Sequence, residues 1–310
     1  MVDFSNLSFI SAGELIDSGD VPPPDFVLKG LESAHVGMLI AAPEMGKSHL
    51  CFSIAIEHST SMKLLGISAA KTAQKTLLIS AEDSVSVIKN QLSKKIKSLP
   101  AKVRKQARDN IYPFSATLPF VTPNDAALSD QNNTKAYTDK IIELIRELGI
   151  SLVVIDTVSE VIGSCDEVKH DRVIKTAFQR IARESGAALL LVHHVNKAEI
   201  KGEHEVSMAS GAGLTTVMRL SKLILGITSS KRDKRRLNYL KANYLSQEEK
   251  QSFDIEFNNG VLVNTNIETF FKEGIDSSAP ERPEPIIVKG SNPEADIKNN
   301  KRRSSIRKAF

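Results

Sequence analysis

Short apolar runs alternate with helical stretches along the first two thirds of the chain. Residues 36–41 (VGMLIA) form the first run, followed by a loop and a helical stretch at 47–57. Residues 76–80 (TLLIS) form the second, with a helical pattern at 85–97 behind it. A third run, 152–155 (LVVI), follows an amphipathic helix at 135–148 that Gly149 is placed to end. The fourth, 187–192 (AALLLV), follows a helix at 171–185 and Gly186. None of these runs shows strict polar alternation, so each is expected to be a strand covered on both faces. The expected fold class is α/β, with a mostly parallel central sheet.

Beyond Leu220 the pattern changes. Residues 221–228, 237–242, 253–257 and 261–264 are strand-like, and Asn258-Asn259-Gly260 suits a hairpin turn. With no linker ahead of them, they are expected to extend the main sheet in antiparallel fashion. Val21-Pro22-Pro23-Pro24-Asp25 reads as a stiff, extended lead-in. From Gly274 onward Pro, Ser, Glu, Lys and Asn dominate, a composition that buries too little apolar surface to order itself. The expected organisation is a lead segment at 1–20, an ATPase core at 21–273 and a disordered, basic-ended tail at 274–310.

Composition narrows the class. Of 310 residues, 41% are hydrophobic and 25% charged, enough for a sizeable core and unlike a disordered or collagen-like chain. No apolar run approaches the ~18–20 residues that span a bilayer, so no membrane association is expected. The first residues carry acids where a secretion signal carries bases. Cys51 and Cys165 allow one bridge at most and cannot hold zinc alone. A reducing cytoplasm is the expected compartment.

The formal charge of +4 suggests nucleic acid until it is divided. Residues 297–310 carry six basic groups and no acid, leaving the other 296 residues at −2. The positive balance therefore belongs to the tail.

Ala41-Ala42-Pro43-Glu44-Met45-Gly46-Lys47-Ser48 fits a phosphate-binding P-loop, between an apolar strand and a helix start. Gly46 lets the backbone wrap a phosphate, and the helix N-terminus adds positive potential. Lys47 supplies a point charge to the β- and γ-phosphates, and the Ser48 hydroxyl is a ligand for Mg²⁺. Ala42, Pro43, Glu44, Met45, Gly46, Lys47, Ser48 and His49 are the expected nucleotide-contacting positions. Ala41 replaces the commoner first glycine. Leu152-Val153-Val154-Ile155-Asp156 reads as a Walker-B strand, its carboxylate holding the Mg²⁺ shell through water.

Hydrolysis also needs a carboxylate that orients or deprotonates water, and Thr157 rather than an acid follows Asp156. Glu82, after the strand 77–80, is the choice, with Asp83 as fallback. A local alternative makes Asp83 a helix N-cap and puts Glu82 in the first helical turn. His193 and His194 end the fourth strand, where one of them is placed to sense the γ-phosphate.

Pro22-Pro23-Pro24, Gly37-Met38-Leu39-Ile40, the P-loop, Ala81-Glu82-Asp83, Val154-Ile155-Asp156-Thr157, His193-His194 and Lys241-Ala242-Asn243-Tyr244 follow one another in order. In this the chain, over about residues 20–265, resembles the RepA-type plasmid helicases among the hexameric RecA-like ATPases. The resemblance implies a homo-oligomeric ring, expected to be a hexamer, with ATP between subunits and single-stranded DNA in the channel. It implies phosphate and Mg²⁺ roles for Lys47 and Ser48, a Walker-B role for Asp156, the catalytic carboxylate for Glu82 and the sensor for His194 or His193. A cation reaching into the neighbouring site is implied too, with Arg219 and Lys241 as candidates. The segment Ala209-Ser210-Gly211 departs from the family's Arg-Gly-Ser-like start.

The implied activity is an ATP-dependent DNA helicase or translocase in plasmid or mobile-element replication, with a replication initiator or primase as further partner. The alternatives are a RecA/KaiC-like regulatory ATPase without unwinding, or a replication regulator that does not hydrolyse ATP. The expected channel loop, 195–208, mixes Lys197 and Lys201 with Glu199, Glu203 and Glu205. Lys231-Arg232-Asp233-Lys234-Arg235-Arg236 is more basic and reads equally as a DNA contact or a solvated loop.

Overall fold

The computed structural model describes residues 9–19, 24–194, 215–229 and 234–267. The chain divides into Met1–Glu273 and Gly274–Phe310, and every described residue belongs to the first unit. The expectations for the channel loop, for 209–213 and for the tail lie outside the described residues.

A short helix, α1 (Ala12–Asp17), precedes a two-stranded hairpin, β1 (Phe26–Leu28) and β2 (Leu31–Glu32). Then come β3 (Val36–Ala41), α2 (Lys47–Thr60), β4 (Lys75–Ser80), α3 (Val85–Ser98), α4 (Ala101–Asn110) and β5 (Ile111–Ser115). They are followed by α5 (Leu128–Leu148), β6 (Ile150–Asp156), α6 (Val158–Val161), α7 (Asp171–Ser185) and β7 (Ala188–His194). The described chain ends with α8 (Thr215–Leu220), β8 (Leu223–Ser229), β9 (Arg235–Ala242), β10 (Phe253–Asn258) and β11 (Val261–Asn264).

One nine-stranded sheet orders these strands β11-β10-β9-β8-β3-β7-β6-β4-β5. The six from β8 to β5 pair in parallel, and β9, β10 and β11 add antiparallel strands beside β8. The α/β expectation and the antiparallel extension both hold. Alternation along β3 shows why the central runs are apolar throughout. Leu39 and Ala41 join the core on one face, while Val36, Met38 and Ile40 join the core on the other. Helix α7 runs over the expected residues, and α5 starts at Leu128, seven residues before the expected 135.

Helix α2 is enclosed on nearly all sides, with 12 of its 14 residues buried. Its buried polar groups must then find partners inside the protein. Glu57 does so by gathering the loop that follows the helix. Its Oε2 accepts from the N–H groups of Leu64 (2.7 Å), Leu65 and Gly66 (2.8 Å), and its Oε1 from Ile67 (2.7 Å) and Ser68 (2.6 Å). Five backbone donors on one carboxylate are charge-assisted bonds, each worth about 1.5–3 kcal/mol to a charged acceptor.

The next residue, His58, bridges elements. Its Nε2 lies 2.8 Å from Ser151 Oγ on β6, and its Nδ1 lies 3.1 Å from Ser68 Oγ. Ser151 Oγ donates onward to Lys75 O (3.3 Å), so the bonding pattern suits a neutral ring that donates through Nε2 and accepts at Nδ1. Burial pushes the His58 pKa down from 6.5 to about 4. Above about pH 6.5 folded and unfolded chains both hold it neutral, and its stabilisation is complete. Between about pH 6.5 and 4 only the unfolded chain takes up the proton, so stability falls with pH, by about 3 kcal/mol in all. Urea-denaturation midpoints across that window should drop more steeply for the wild type than for His58→Gln. Equal slopes would remove His58 as the cause.

Candidate functional site

Parallel strands deliver the candidate residues to one edge. Ala41 pairs in register with His194, and Ser80 with Asp156, so β3, β7, β6 and β4 end together. Ligands in open α/β sheets bind outside such carboxyl ends.

The P-loop leaves β3 and turns into α2 at Gly46, whose φ of +89° lies in the left-handed region. A side chain there would be strained, which accounts for glycine at this position. The Lys47 Nζ donates to the carbonyls of Ala41 (3.1 Å) and Ala42 (2.9 Å), its own loop. Burial lowers the Lys47 pKa, and the nearby charges of Asp156, Cys51 and Glu82 work against that shift. Asp156 is the mirror case: burial raises its pKa, while a hydrogen bond from Ser48 and the charge of Lys47 lower it. The peptide joining Asp156 to Thr157 is cis.

Glu82 lies ahead of α3, not in its first turn. The residue at the N-cap position is Ser84, so the alternative with Asp83 as the cap does not hold. Asp83 is instead held through its backbone, its N–H donating to Ser80 Oγ (3.2 Å) and its carbonyl accepting from Ser115 Oγ (3.1 Å). The Glu82 side chain, about half exposed, accepts from Thr157 Oγ1 (3.1 Å) and stands 3.5 Å from His194 Nε2. Strand alternation separates the two histidines. His194 faces Glu82, while the buried His193 places Nδ1 3.8 Å from Glu167. Lys47, Ser48, Glu82, Asp156 and His194 thus form one polar cluster at the sheet edge.

Arg219 and Lys241 are elsewhere. Lys241 on β9 pairs with Ile224, which is level with Met38, three residues short of the end of β3. Its Nζ donates to the carbonyls of Arg219 (2.9 Å) and Met218 (3.3 Å), so it holds the last turn of α8. Arg219 itself is exposed. Within one chain neither meets the Lys47 cluster.

Two residues beside the P-loop were not singled out by sequence. Arg235, from the basic run at 231–236, donates through Nε to the carbonyl of Met45 (3.0 Å), inside the loop. It is neither a solvated residue nor a free cation, and Arg236 pairs with Asp254 at 2.8 Å. Phe257, next to the Asn258-Asn259-Gly260 turn, lies 5.3 Å from the Arg235 guanidinium and meets the His49 ring edge-on at 5.0 Å. Behind them Lys95 donates to His49 Nδ1 (2.8 Å) and Gly260 O (2.6 Å), and burial pulls its pKa down to about 8. The C-terminal hairpin is thereby tied to the start of α2.

Among the described residues no group of three or more His, Cys, Asp or Glu could hold a metal ion. A Mg²⁺ that enters with the nucleotide needs no such cage, because phosphates and waters supply most of its ligands. The Ser48 hydroxyl beside the Asp156 carboxylate fits that role. Removing the Arg235 tie should loosen the P-loop. Arg235→Ala is expected to weaken binding of a fluorescent ATP analogue about tenfold, the scale of one charge-assisted hydrogen bond. Unchanged affinity would make Arg235 a packing residue.

Comparison with known proteins fits this geometry. No curated protein matches the chain. Among solved structures, the ATPase domain of a DnaB-like helicase superposes with a TM-score of 0.58 at 13% identity, over 81% of this chain and 95% of that one. At that identity the likeness speaks for the fold, a RecA-like parallel sheet with an antiparallel extension. Among the described residues no helix is long and apolar enough to cross a membrane. A family model described as an AAA domain matches residues 5–199. That stretch is more than half of the chain and contains the P-loop, Glu82, Asp156 and both histidines, so the protein belongs to the AAA domain family and is a P-loop ATPase.

Proposed function

We propose that this ATPase is a DNA helicase or translocase of the RepA type, working as a ring of identical subunits, hexameric by resemblance, in plasmid or mobile-element replication. The observation that carries the hydrolytic half is the Glu82 carboxylate, held between Thr157 and His194 on the same edge as Lys47 and Asp156. The motor half is supported by the order of the motifs and by a fold like that of the DnaB-like helicase ATPase domain.

In this reading Lys47 and the P-loop amides bind the phosphates. Ser48 and Asp156 hold Mg²⁺, which neutralises phosphate charge when bound. Glu82 orients the attacking water and takes its proton. His194, in contact with Glu82 and at the end of β7, relays the state of the site to the segment that follows. Arg219, exposed on α8, is the better candidate for the cation offered to a neighbouring subunit, and Lys241 positions it by holding the helix end. Single-stranded DNA is the proposed substrate track and the cytoplasm the proposed compartment.

Glu82→Gln should lower the ATPase kcat by about 10²–10⁴-fold, the range for loss of a general base. Binding of the nucleotide should stay within about twofold. Retained turnover would remove Glu82 from its role. The wild type should form a larger particle with ATP and Mg²⁺, and displace a strand in a fuel-dependent assay. A monomer under all conditions would remove the ring. DNA-stimulated hydrolysis without displacement would favour the regulatory ATPase instead.

A further inference from the structure

Helix α1 is built to form and has nothing of its own chain to pack against among the described residues. Ser11 and Glu14 make a reciprocal capping box, with Glu14 N–H donating to Ser11 Oγ (3.1 Å) and Ser11 N–H to Glu14 Oε2 (2.7 Å). Yet none of the helix is buried. Phe9 is 93% exposed, Ile10 62%, Leu15 49% and Ile16 74%. Four large apolar side chains within eight residues are a docking surface rather than scattered surface residues. The segment is also purely acidic: residues 1–20 contain Asp3, Glu14, Asp17 and Asp20 and no Lys or Arg.

A complementary groove lies on the far edge of the sheet. Between α3, α4 and β5 is a cavity of about 630 Å³. Leu92, Ile96 and Ile111 floor it, and Lys97, Arg104 and Arg108 rim it. Arg104 is fixed by its Nε bond to Leu99 O (2.7 Å), and all three rim residues are exposed. From Val85 to Asn110 the sequence holds eight basic residues and a single acid, Asp109, in a core that is otherwise acidic. The groove is therefore apolar at the bottom and positive at the lip, the reverse of α1.

The geometry points to this groove as the docking site for the 9–17 segment of a second copy of the same chain. The two matched properties, apolar to apolar and acidic to basic, choose the occupant. The other terminal segment, 297–310, is basic and would be repelled. The proline run Val21-Pro22-Pro23-Pro24 stiffens the connection and favours projection of the segment away from its own body. A nucleic-acid strand is less well matched, since the floor is aliphatic and offers no stacking platform. The contact is independent of helicase activity, because it needs neither DNA nor turnover.

Cross-linking between mixed variants tests it directly. One chain carries Ile16→Cys and the other Ser93→Cys, a substitution at a groove-lining position. Mild oxidation of the mixture should give a covalent pair that thiol reduces. In parallel, Arg104→Glu with Arg108→Glu should raise the concentration for half-assembly, read by light scattering, about tenfold or more. Adding Glu14→Lys and Asp17→Lys to that chain should restore it, while binding of an ATP analogue remains as in wild type throughout. The inference is overturned if only a doubly substituted chain cross-links, within itself. It is equally overturned if the charge-reversed groove assembles normally, or if the reversal weakens oligonucleotide binding alone. Failure of the helicase reading would leave all these readouts unchanged.

Discussion

The enclosure of α2 is the constraint on which the rest depends. The helix carries Lys47 at its first turn and Glu57 near its last, and almost everything between is buried. A buried helix cannot leave its polar side chains to water, so each one recruits a neighbour. Ser53 Oγ donates to His49 O (3.2 Å) and accepts the Leu262 N–H (2.8 Å), which brings β11 against the helix. Ser59 Oγ donates to Thr76 Oγ1 (2.9 Å) on β4. Glu57 and His58 fix the loop at 64–68 and the foot of β6. The catalytic lysine is thus set by contacts spread along the whole helix, and each partner element is placed by satisfying one of its groups.

Electrostatics at the sheet edge follow from that burial. Lys47 and Asp156 are each pushed toward neutrality by burial, and each is pulled back toward its charged form by the other. Glu82 favours the charge on Lys47 and disfavours the charge on Asp156. The three groups form a coupled set, so a change at one is felt at the other two. An incoming phosphate competes with the Ala41 and Ala42 carbonyls for the Lys47 ammonium. Its negative charge favours the ammonium form, so binding and lysine ionisation reinforce each other.

What sequence could reveal follows from the range of each interaction. The P-loop, Asp156 and the α7 boundaries were legible because local pattern dictates them. Alternation also limits the histidines to opposite faces, although only the position of Glu82 decides which one matters. The strand β5 escaped notice because Pro113 interrupts a run of five residues. As an edge strand it tolerates a residue without an N–H. Helix α4 was missed because Ala107 is its sole buried residue, leaving almost no apolar stripe to read. Arg235 and Phe257 reach the P-loop from some 190 residues away, a meeting that pairing of β8, β9 and β10 creates and that no local pattern announces.

Charge distribution acquires a different meaning once the fold is known. A core at −2 looks nearly neutral, but its basic residues are concentrated on α3 and α4, beside one sheet edge. The remaining surface is correspondingly more acidic, and α1 continues that character. An arm of one copy in a groove of the next is a heterologous contact: the two surfaces differ, so pairing two copies leaves one arm and one groove unused. Repetition of the contact ends only in a closed ring or an open filament. Acidic arms on basic grooves are attractive at moderate ionic strength and screened at high salt, whereas the apolar floor is not. The same interface therefore permits directional assembly, with charge selecting the partner segment and apolar burial retaining it.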